Sequence, residues 1–230
     1  LPAQINPSTP VVFRDLDGGS SGAVWAVGDL GRAFELSATG WLPVEVTVTA
    51  GDGDAIASGA NLVAVSVTDS GGVWIAADKG ASSGGVVVRK TAQGWRGHAT
   101  KIAPKALWVA EGAEADPAGK VFVAGGTTEP YVAVFDGKKF VAVEVDKLNW
   151  KQGFQSLVGL DVDNVWIGAL KKGQLRRKGK KQWEIVSMQS APGVVPSWTA
   201  TGSIDGLAVH GPDELLALTT VKLFRWAVQP

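Results

Sequence analysis

The stretch "GAVWAVGDLGRAFELSATGWLPVEV" (residues 22–46) decides the fold, because the chain repeats its pattern. Each copy has an apolar strand, a turn that contains glycine, a second strand, a polar turn and then an aromatic residue. The later copies are "GGVWIAADKGASSGGVVVRKTAQGWRGH" (residues 71–98), "GKVFVAGGTTEPYVAVFDGKKFVAVEV" (residues 119–145) and "DNVWIGALKKGQLRRKGKKQWEIV" (residues 163–186). A unit that recurs at a near-constant period indicates one supersecondary motif copied around or along an axis.

The marker of the repeat is a valine followed by an aromatic residue. It occurs at Val24-Trp25, Val73-Trp74, Val121-Phe122 and Val165-Trp166, with Leu215-Leu216 in a fifth copy. The second residues of successive markers stand 49, 48, 44 and 50 positions apart. An apolar-alternating stretch precedes each marker, so each unit of roughly 45 residues holds four short strands, which is typical of a propeller blade.

The sequence therefore predicts an all-β fold, a five-bladed β-propeller with four-stranded antiparallel blades. The 30 glycines and 11 prolines interrupt every stretch that could hold a helical apolar stripe. We expect one domain over residues 1–230, with residues 1–9 closing the ring as the outer strand of the last blade, because an open edge leaves backbone groups unpaired. The expected blades are residues 11–47, 60–100, 106–146, 154–188, and 203–230 together with 1–9.

Two sets of aromatic residues recur in step with the blades, and we expect both to fill the layers between blades. A buried Trp contributes about 4–6 kcal/mol of gross hydrophobic stabilisation. The second-strand set is Trp25, Trp74, Phe122 and Trp166, and the fourth-strand set is Trp41, Trp95, Phe140 and Trp183.

Composition excludes several classes of function. The net charge is zero, which disfavours nucleic acid as a partner, and no apolar run is long enough to insert into a membrane. The absence of cysteine excludes disulfides, zinc–thiolate sites and thiol catalysis. A start at Leu1-Pro2 without Met indicates a removed signal peptide or a trimmed chain, so we expect a secreted, periplasmic or particle-surface protein. The oligomeric state stays open.

Three tryptophans stand outside both recurring sets and are the first candidates for a site. They lie in or beside the linkers between blades, which converge on one face near the central channel, where binding residues gather. An aromatic face there suits a sugar ring or a protein anchor. The alternative is that these rings cap the core between blades. The candidate ligand- or partner-binding residues are Trp108, Trp150 and Trp198, with Asp78, Lys79 and Glu129 from turns expected on the same face.

A basic segment in the fourth blade is the second candidate. It would contact an anionic partner, such as an acidic glycan or protein, and salt would weaken that contact. The alternative is a solvated hairpin whose charges serve solubility. The residues of this segment are Lys171, Lys172, Arg176, Arg177 and Lys178.

The signs of catalysis and metal binding are weak. His98 and His210 are expected on opposite faces, and Glu111 and Asp205 are carboxylates near inner strands without an evident partner. The Asp-rich turn at residues 15–22 is better explained by turn chemistry than by calcium. We therefore expect no cofactor, no metal and no enzymatic activity.

The pattern resembles the degenerate Trp-containing repeats of bacterial β-propellers. It departs from WD40 repeats, which carry a Trp-Asp ending, from the paired glycines of kelch repeats and from the sialidase Asp box. In outline it is similar to tachylectin-like sugar-binding propellers. The linker tryptophans favour a non-catalytic binding module that recognises a carbohydrate or a protein on the linker face. The alternatives are a structural or assembly subunit of an envelope complex or phage particle, and an enzyme with its site in the channel.

Overall fold

The computed structural model consists of antiparallel sheets that follow one another along the chain. It describes residues 12–51, 56, 59–79, 84–127, 129–143, 153–169, 175–178, 183–185, 203–211, 214–219 and 223–227. Within these residues there are five sheets. The all-β prediction is confirmed, since the only helical element of the described ranges is a 3-10 turn at Asp29–Gly31.

In each sheet the strands pair in chain order, from an inner strand to an outer strand. The second sheet has one additional strand, which comes first in the chain but pairs at the outer edge. The first sheet holds β1 (Phe13–Gly18), β2 (Val24–Gly28), β3 (Ala33–Ser37) and β4 (Gly40–Val44). The second holds β5 (Val48–Gly51), β6 (Asn61–Val67), β7 (Val73–Asp78), β8 (Gly85–Thr91) and β9 (Gly94–Thr100). The third holds β10 (Pro104–Val109), β11 (Val121–Gly125), β12 (Tyr131–Phe135) and β13 (Phe140–Ala142). The fourth holds β14 (Phe154–Asp161), β15 (Asn164–Ala169), β16 (Leu175–Lys178) and β17 (Trp183–Ile185). The fifth holds β18 (Ile204–Gly211), β19 (Glu214–Thr219) and β20 (Leu223–Ala227).

The second sheet departs from the four-stranded, antiparallel prediction. Its fifth strand, β5, comes from the connection between the first two sheets and pairs in parallel with β9. The register joins Val48 to Trp95 and Gly51 to Gly97. The extra strand covers the outer edge of β9, which would otherwise present unpaired backbone donors and acceptors.

The hydrophobic core lies between consecutive sheets. Four clusters join the first sheet to the second, the second to the third, the third to the fourth and the fourth to the fifth. The second-strand aromatics are buried as predicted, at 0–1 % exposure for all four. Trp25 of the first sheet meets Trp95 of the second edge to face, with ring centroids 5.9 Å apart. In the fourth-strand set Trp95 and Trp183 are buried, whereas Trp41 and Phe140 are only half-buried.

One face of the first sheet is not covered by another described sheet. Phe13 is 50 % exposed, whereas Leu62, at the same register position of the second sheet, is fully buried. Leu16 is 61 % exposed and its counterpart Val65 only 2 %. Phe13, Leu16 and Trp41 line a groove of about 570 Å³ on this face. We call it the first-sheet groove.

Candidate functional site

The five inner strands line one common cavity. These strands are β1, β6, β10, β14 and β18, and each is the first antiparallel strand of its sheet. The cavity has a volume of about 380 Å³, within the range of small-ligand pockets. We call it the central channel.

Every inner strand carries a β-bulge at the same position. The pairing with the second strand of the sheet slips by one residue in all five sheets, after the first paired residue in four of them and after the second, Leu62, in β6. A bulge redirects a side chain that regular alternation would place elsewhere. All five bulge residues line the central channel: Arg14, Val63, Lys105, Gln155 and Asp205.

Two of the bulge residues are cations that a carboxylate already holds. Asp29 accepts hydrogen bonds from Arg14 at Nε, 2.7 Å, and at Nη2, 3.1 Å. Asp78 Oδ2 lies 3.0 Å from Lys105 Nζ. The first pair lies within the first sheet, and the second joins the second sheet to the third. Both positive charges among the five bulge residues are thus locally neutralised.

The bulge residue of the fifth sheet is a carboxylate. Asp205 is exposed, and Ser203 Oγ donates a hydrogen bond to it. Within the described residues no cation pairs with Asp205. The other two bulge residues are Val63, which is apolar, and Gln155, an amide that can donate and accept.

A second carboxylate lies one residue further along β1. Asp15 accepts the backbone amide of Val65 at 2.9 Å, across the interface with the second sheet, and that of Leu16 at 2.9 Å. Burial raises the pKa of Asp15 to about 6, in spite of these two hydrogen bonds. Asp17 behaves similarly, since burial raises its pKa and it accepts the amide of Val67.

The bulges lie near the end of the sheets where the linkers and the turns after the second strands meet. The amide of Asp29 donates to Val12 O, and that of Gly126 donates to Ala103 O. The sequence predicted that linkers and these turns share one face, and these contacts confirm it for the first and third sheets. We call this end the linker face.

Three predicted site residues come from the turns after second strands, and their positions differ. Asp78 ends β7 and pairs with Lys105, so it belongs to the channel mouth. Lys79 follows it and is half-buried. Glu129 is exposed in the turn between β11 and β12, and it does not line the channel.

Trp108 lies within an inner strand and packs between sheets. Its ring centroid is 5.6 Å from that of Phe122. An ideal Cβ built on Gly159 of the fourth sheet would lie 2.6 Å from the indole. These contacts favour the core-capping alternative for this half-buried residue. Trp150 and Trp198 lie outside the described residues.

The basic segment is described only in part. Lys171 and Lys172 lie outside the described residues, and Arg176 and Arg177 are described through the backbone of β16. Lys178 Nζ donates to Val162 O and lies 3.2 Å from Asp163 Oδ1. This lysine therefore contacts the turn between β14 and β15 of its own sheet.

Sequence reasoning missed four of the five bulge residues and named Asp205 only as a possible catalytic acid. In an alternating strand two successive residues face opposite sides, but a bulge breaks that period. The five bulges fall at Arg14-Asp15, Val63-Ala64, Lys105-Ala106, Gln155-Ser156 and Asp205-Gly206, pairs with no residue type common to all of them, so the sequence carried no common signal for them.

Of the two histidines, only the side chain of His98 is described. It is buried in β9, with its ring centroid 4.5 Å from that of Phe135. Glu111 accepts the amide of Asp69 from the neighbouring sheet and does not line the channel. Among the described residues, no three His, Asp or Glu side chains are grouped to hold a metal ion.

Comparison with known proteins identifies the fold. No family model matches the chain, and no curated protein matches it. U3-55K is similar in structure, with a TM-score of 0.66 at 12 % identity over 95 % of this chain. YCF48 bound to D1 peptide gives a TM-score of 0.61 at 12 % identity over 98 %. Virginiamycin B lyase from Staphylococcus aureus gives 0.62 at 15 % identity over 99 %.

These neighbours are β-propeller proteins, so the chain has a β-propeller fold. The chain spans 62 % of U3-55K, 67 % of YCF48 and 73 % of the lyase. No helix in the described part of the chain is long and apolar enough to cross a membrane. From here on each sheet is called a blade.

Proposed function

We propose that this protein is a non-catalytic binding module, and that its ligand enters the central channel from the linker face. The observation that carries the proposal is the set of five equivalent bulges. The scaffold repeats from blade to blade, but the bulge residues differ in charge and polarity. A cavity with a few convergent polar groups on a rigid frame is typical of a binding site.

A partner that is a protein or a carbohydrate agrees with this site. The channel admits a protruding side chain, a chain end or a sugar residue, and exposed turns such as the one at Glu129 extend the contact surface. The neighbour YCF48 was solved with a bound peptide, which favours the protein alternative. The basic segment around Lys178 and the tryptophans Trp150 and Trp198 remain candidates for contacts outside the channel.

A physical argument supports the non-catalytic part of the proposal. Asp15 is the channel residue whose raised pKa would suit an acid. Both of its oxygens, however, accept backbone amides, from Leu16 and Val65. This carboxylate therefore links the first blade to the second. The other reactive groups of the lining are also bonded, Ser156 to Ile204 O and Lys105 to Asp78.

We also propose that the five blades form a closed ring, with the fifth blade packing on the first-sheet groove. In the second to fifth blades, the face equivalent to this groove packs against the preceding blade. Leu218 in the fifth blade has the register position of Val27 in the first, yet Leu218 is 50 % exposed and Val27 fully buried. Two complementary apolar faces thus stand at the two ends of the series.

The test of the binding module is a pair of arrays, one of peptides and one of glycans. Both are probed with the wild-type protein and with Val63→Trp, which fills the channel mouth. The matched control is Val141→Trp, at a 44 % exposed position of the outer strand β13. We expect spots that bind the wild type and the control but not Val63→Trp. A silent pair of arrays, or binding that Val63→Trp leaves intact, would contradict the proposal.

A further inference from the structure

The charges around the central channel are not balanced within the protein. Its two cations, Arg14 and Lys105, are each bonded to a carboxylate that lies outside the cavity lining, Asp29 and Asp78. Its two anions, Asp15 and Asp205, pair with no cation in the described part of the chain. The two cations of the lining are therefore already neutralised, whereas its two carboxylates have no cation among the described residues.

We propose, building on the proposed function, that the central channel binds a cationic head group, a primary ammonium or a guanidinium, at the carboxylates of Asp205 and Asp15. These side chains come from the first and the last inner strands and line the same cavity. Hydrogen bonds between an ionised donor and a carboxylate are short and strong, and they gain strength away from bulk water.

The neighbouring groups fit the rest of such a ligand. The Gln155 amide can accept a further ammonium proton, and the apolar Val63 can contact a methylene stem. Asp205 is oriented by the hydroxyl of Ser203, which donates to Oδ1, and no described residue bonds to Oδ2. Burial of Asp15 disfavours its charged form and so raises its pKa. A bound cation would supply the compensating charge.

An anionic ligand fits the same cavity poorly. It would have to compete with Asp29 for Arg14 or with Asp78 for Lys105, because those contacts are already formed. It would also approach Asp205 and Asp15, and like charges placed together oppose binding. A neutral sugar would leave the two carboxylates without a cation. The cavity therefore selects for positive charge.

The probe is a capped tripeptide, Gly-Lys-Gly, compared with the same peptide carrying norleucine in place of lysine. Isothermal titration at neutral pH and low salt measures both. We expect the lysine peptide to bind about tenfold more tightly or better. Glucosamine against glucose forms the second arm, which tells an amino sugar from a protein side chain as the source of the ammonium group.

Asp205→Asn is the decisive variant because Asp205 is exposed and its loss leaves the core intact. We expect it to weaken the lysine peptide by about tenfold and to leave the norleucine peptide unchanged. Asp116→Asn, in an exposed turn outside the channel, is the matched control. Asp15→Asn should act in the same direction, with its melting temperature measured alongside.

Equal affinity for the two peptides and for the two sugars would overturn the assignment of a cationic ligand. So would a lysine preference that Asp205→Asn leaves intact. If that happens while Val63→Trp still abolishes binding on the arrays, the binding module stands and only the ligand class is wrong. If Val63→Trp has no effect on the arrays, the channel itself is not the site.

Discussion

At the scale of single residues, one register position shows how the blades are joined. In the first blade it is Asp17, which accepts the amide of Val67 in the next blade. In the second it is Ser66, which accepts the amide of Val109. In the third it is Trp108, whose indole takes the space that a side chain at Gly159 would fill. The same position thus serves either a hydrogen bond or a packed ring.

Gly159→Ala should destabilise the protein by about 1–3 kcal/mol, because the new Cβ would lie 2.6 Å from the ring of Trp108. In a Trp108→Val background the same change should cost much less, since the ring is gone. Urea unfolding of the two single variants and the double variant measures the coupling. Gly211→Ala, where an added Cβ meets no atom within 4 Å, is the control. Additive effects would contradict the contact.

Asp15 should make stability depend on pH. Burial raises its pKa from 3.8 to about 6, so the folded state holds a proton that the unfolded state releases. Stability from this group is complete below pH 3.8 and is lost as the pH rises through about 6. Asp15→Asn should flatten the decline, measured by urea unfolding across this window, while Asp116→Asn should not.

Other charges face Asp15 and bear on that result. Asp17 on the same strand repels it, and burial raises the pKa of Asp17 as well, so part of the slope should remain in the variant. Arg14 is held by Asp29, and Lys105 and Asp205 line the same cavity. A profile that Asp15→Asn leaves unchanged would show that the buried carboxylate is not the titrating group.

The sequence predicts the buried aromatics because they recur with the blade, but it does not predict the channel residues, which depend on bulges. Trp25 and Trp74 recur with the blade, so the period alone identifies them as packing residues. Trp108 breaks the period, which makes it a site candidate from sequence alone, yet it packs against Gly159 of the fourth blade, a contact that no local pattern reveals. Arg14 and Lys105 face the channel only because a bulge redirects them.

At the scale of strands and turns, side chains that reach from one inner strand to the next hold the blades in order. Ser156 Oγ donates to Ile204 O at 2.7 Å, joining the fourth blade to the fifth. Ser66 Oγ accepts the amide of Val109 at 3.1 Å, joining the second to the third. Both serines are buried. Each bond therefore joins a side chain of one inner strand to a backbone group of the next.

Ser66→Ala should cost about 1–3 kcal/mol, because it leaves the amide of Val109 without its acceptor in a buried interface. Hydrogen exchange at Val109 should accelerate more than at residues of the outer strands. Ser37→Ala is the control, since that hydroxyl donates to Gly40 O within a single hairpin. Unchanged exchange at Val109 would count against a role for Ser66 in joining the blades.

The strands themselves were predictable, and the departures have local causes. Alternation and turn residues predicted four-stranded units because those signals lie within each unit. The parallel strand β5 was not predicted, because three other strands separate it from its partner β9 in the sequence. The bulges were missed because one extra residue in a strand changes no residue type.

At the scale of the whole molecule, the first-sheet groove and the face around Leu218 are complementary ends of one series. A variant with Leu16→Cys and Leu218→Cys should be joined within one chain by a short bismaleimide, if the fifth blade packs on the groove. The chain contains no other cysteine, so mass spectrometry after proteolysis assigns the link without ambiguity. Each single-cysteine variant is the control.

The alternative results of this crosslinking have distinct meanings. Links between chains would show that one molecule packs its last blade on the groove of another, a head-to-tail contact that forms open assemblies unless its rotation closes. The absence of any link would show that the two faces do not meet. Either result would contradict the closed ring, and neither would bear on the channel residues.

The position of the bulges has an evolutionary consequence. All five side chains line the channel, and of the five only Val63 also packs against a hydrophobic cluster between blades, so most substitutions at the bulges spare the core. If the channel binds a ligand as proposed, selection can change the ligand preference of this scaffold by point mutation without crossing a stability threshold. A combinatorial library randomised at Arg14, Val63, Lys105, Gln155 and Asp205 should yield mostly folded proteins with divergent specificities.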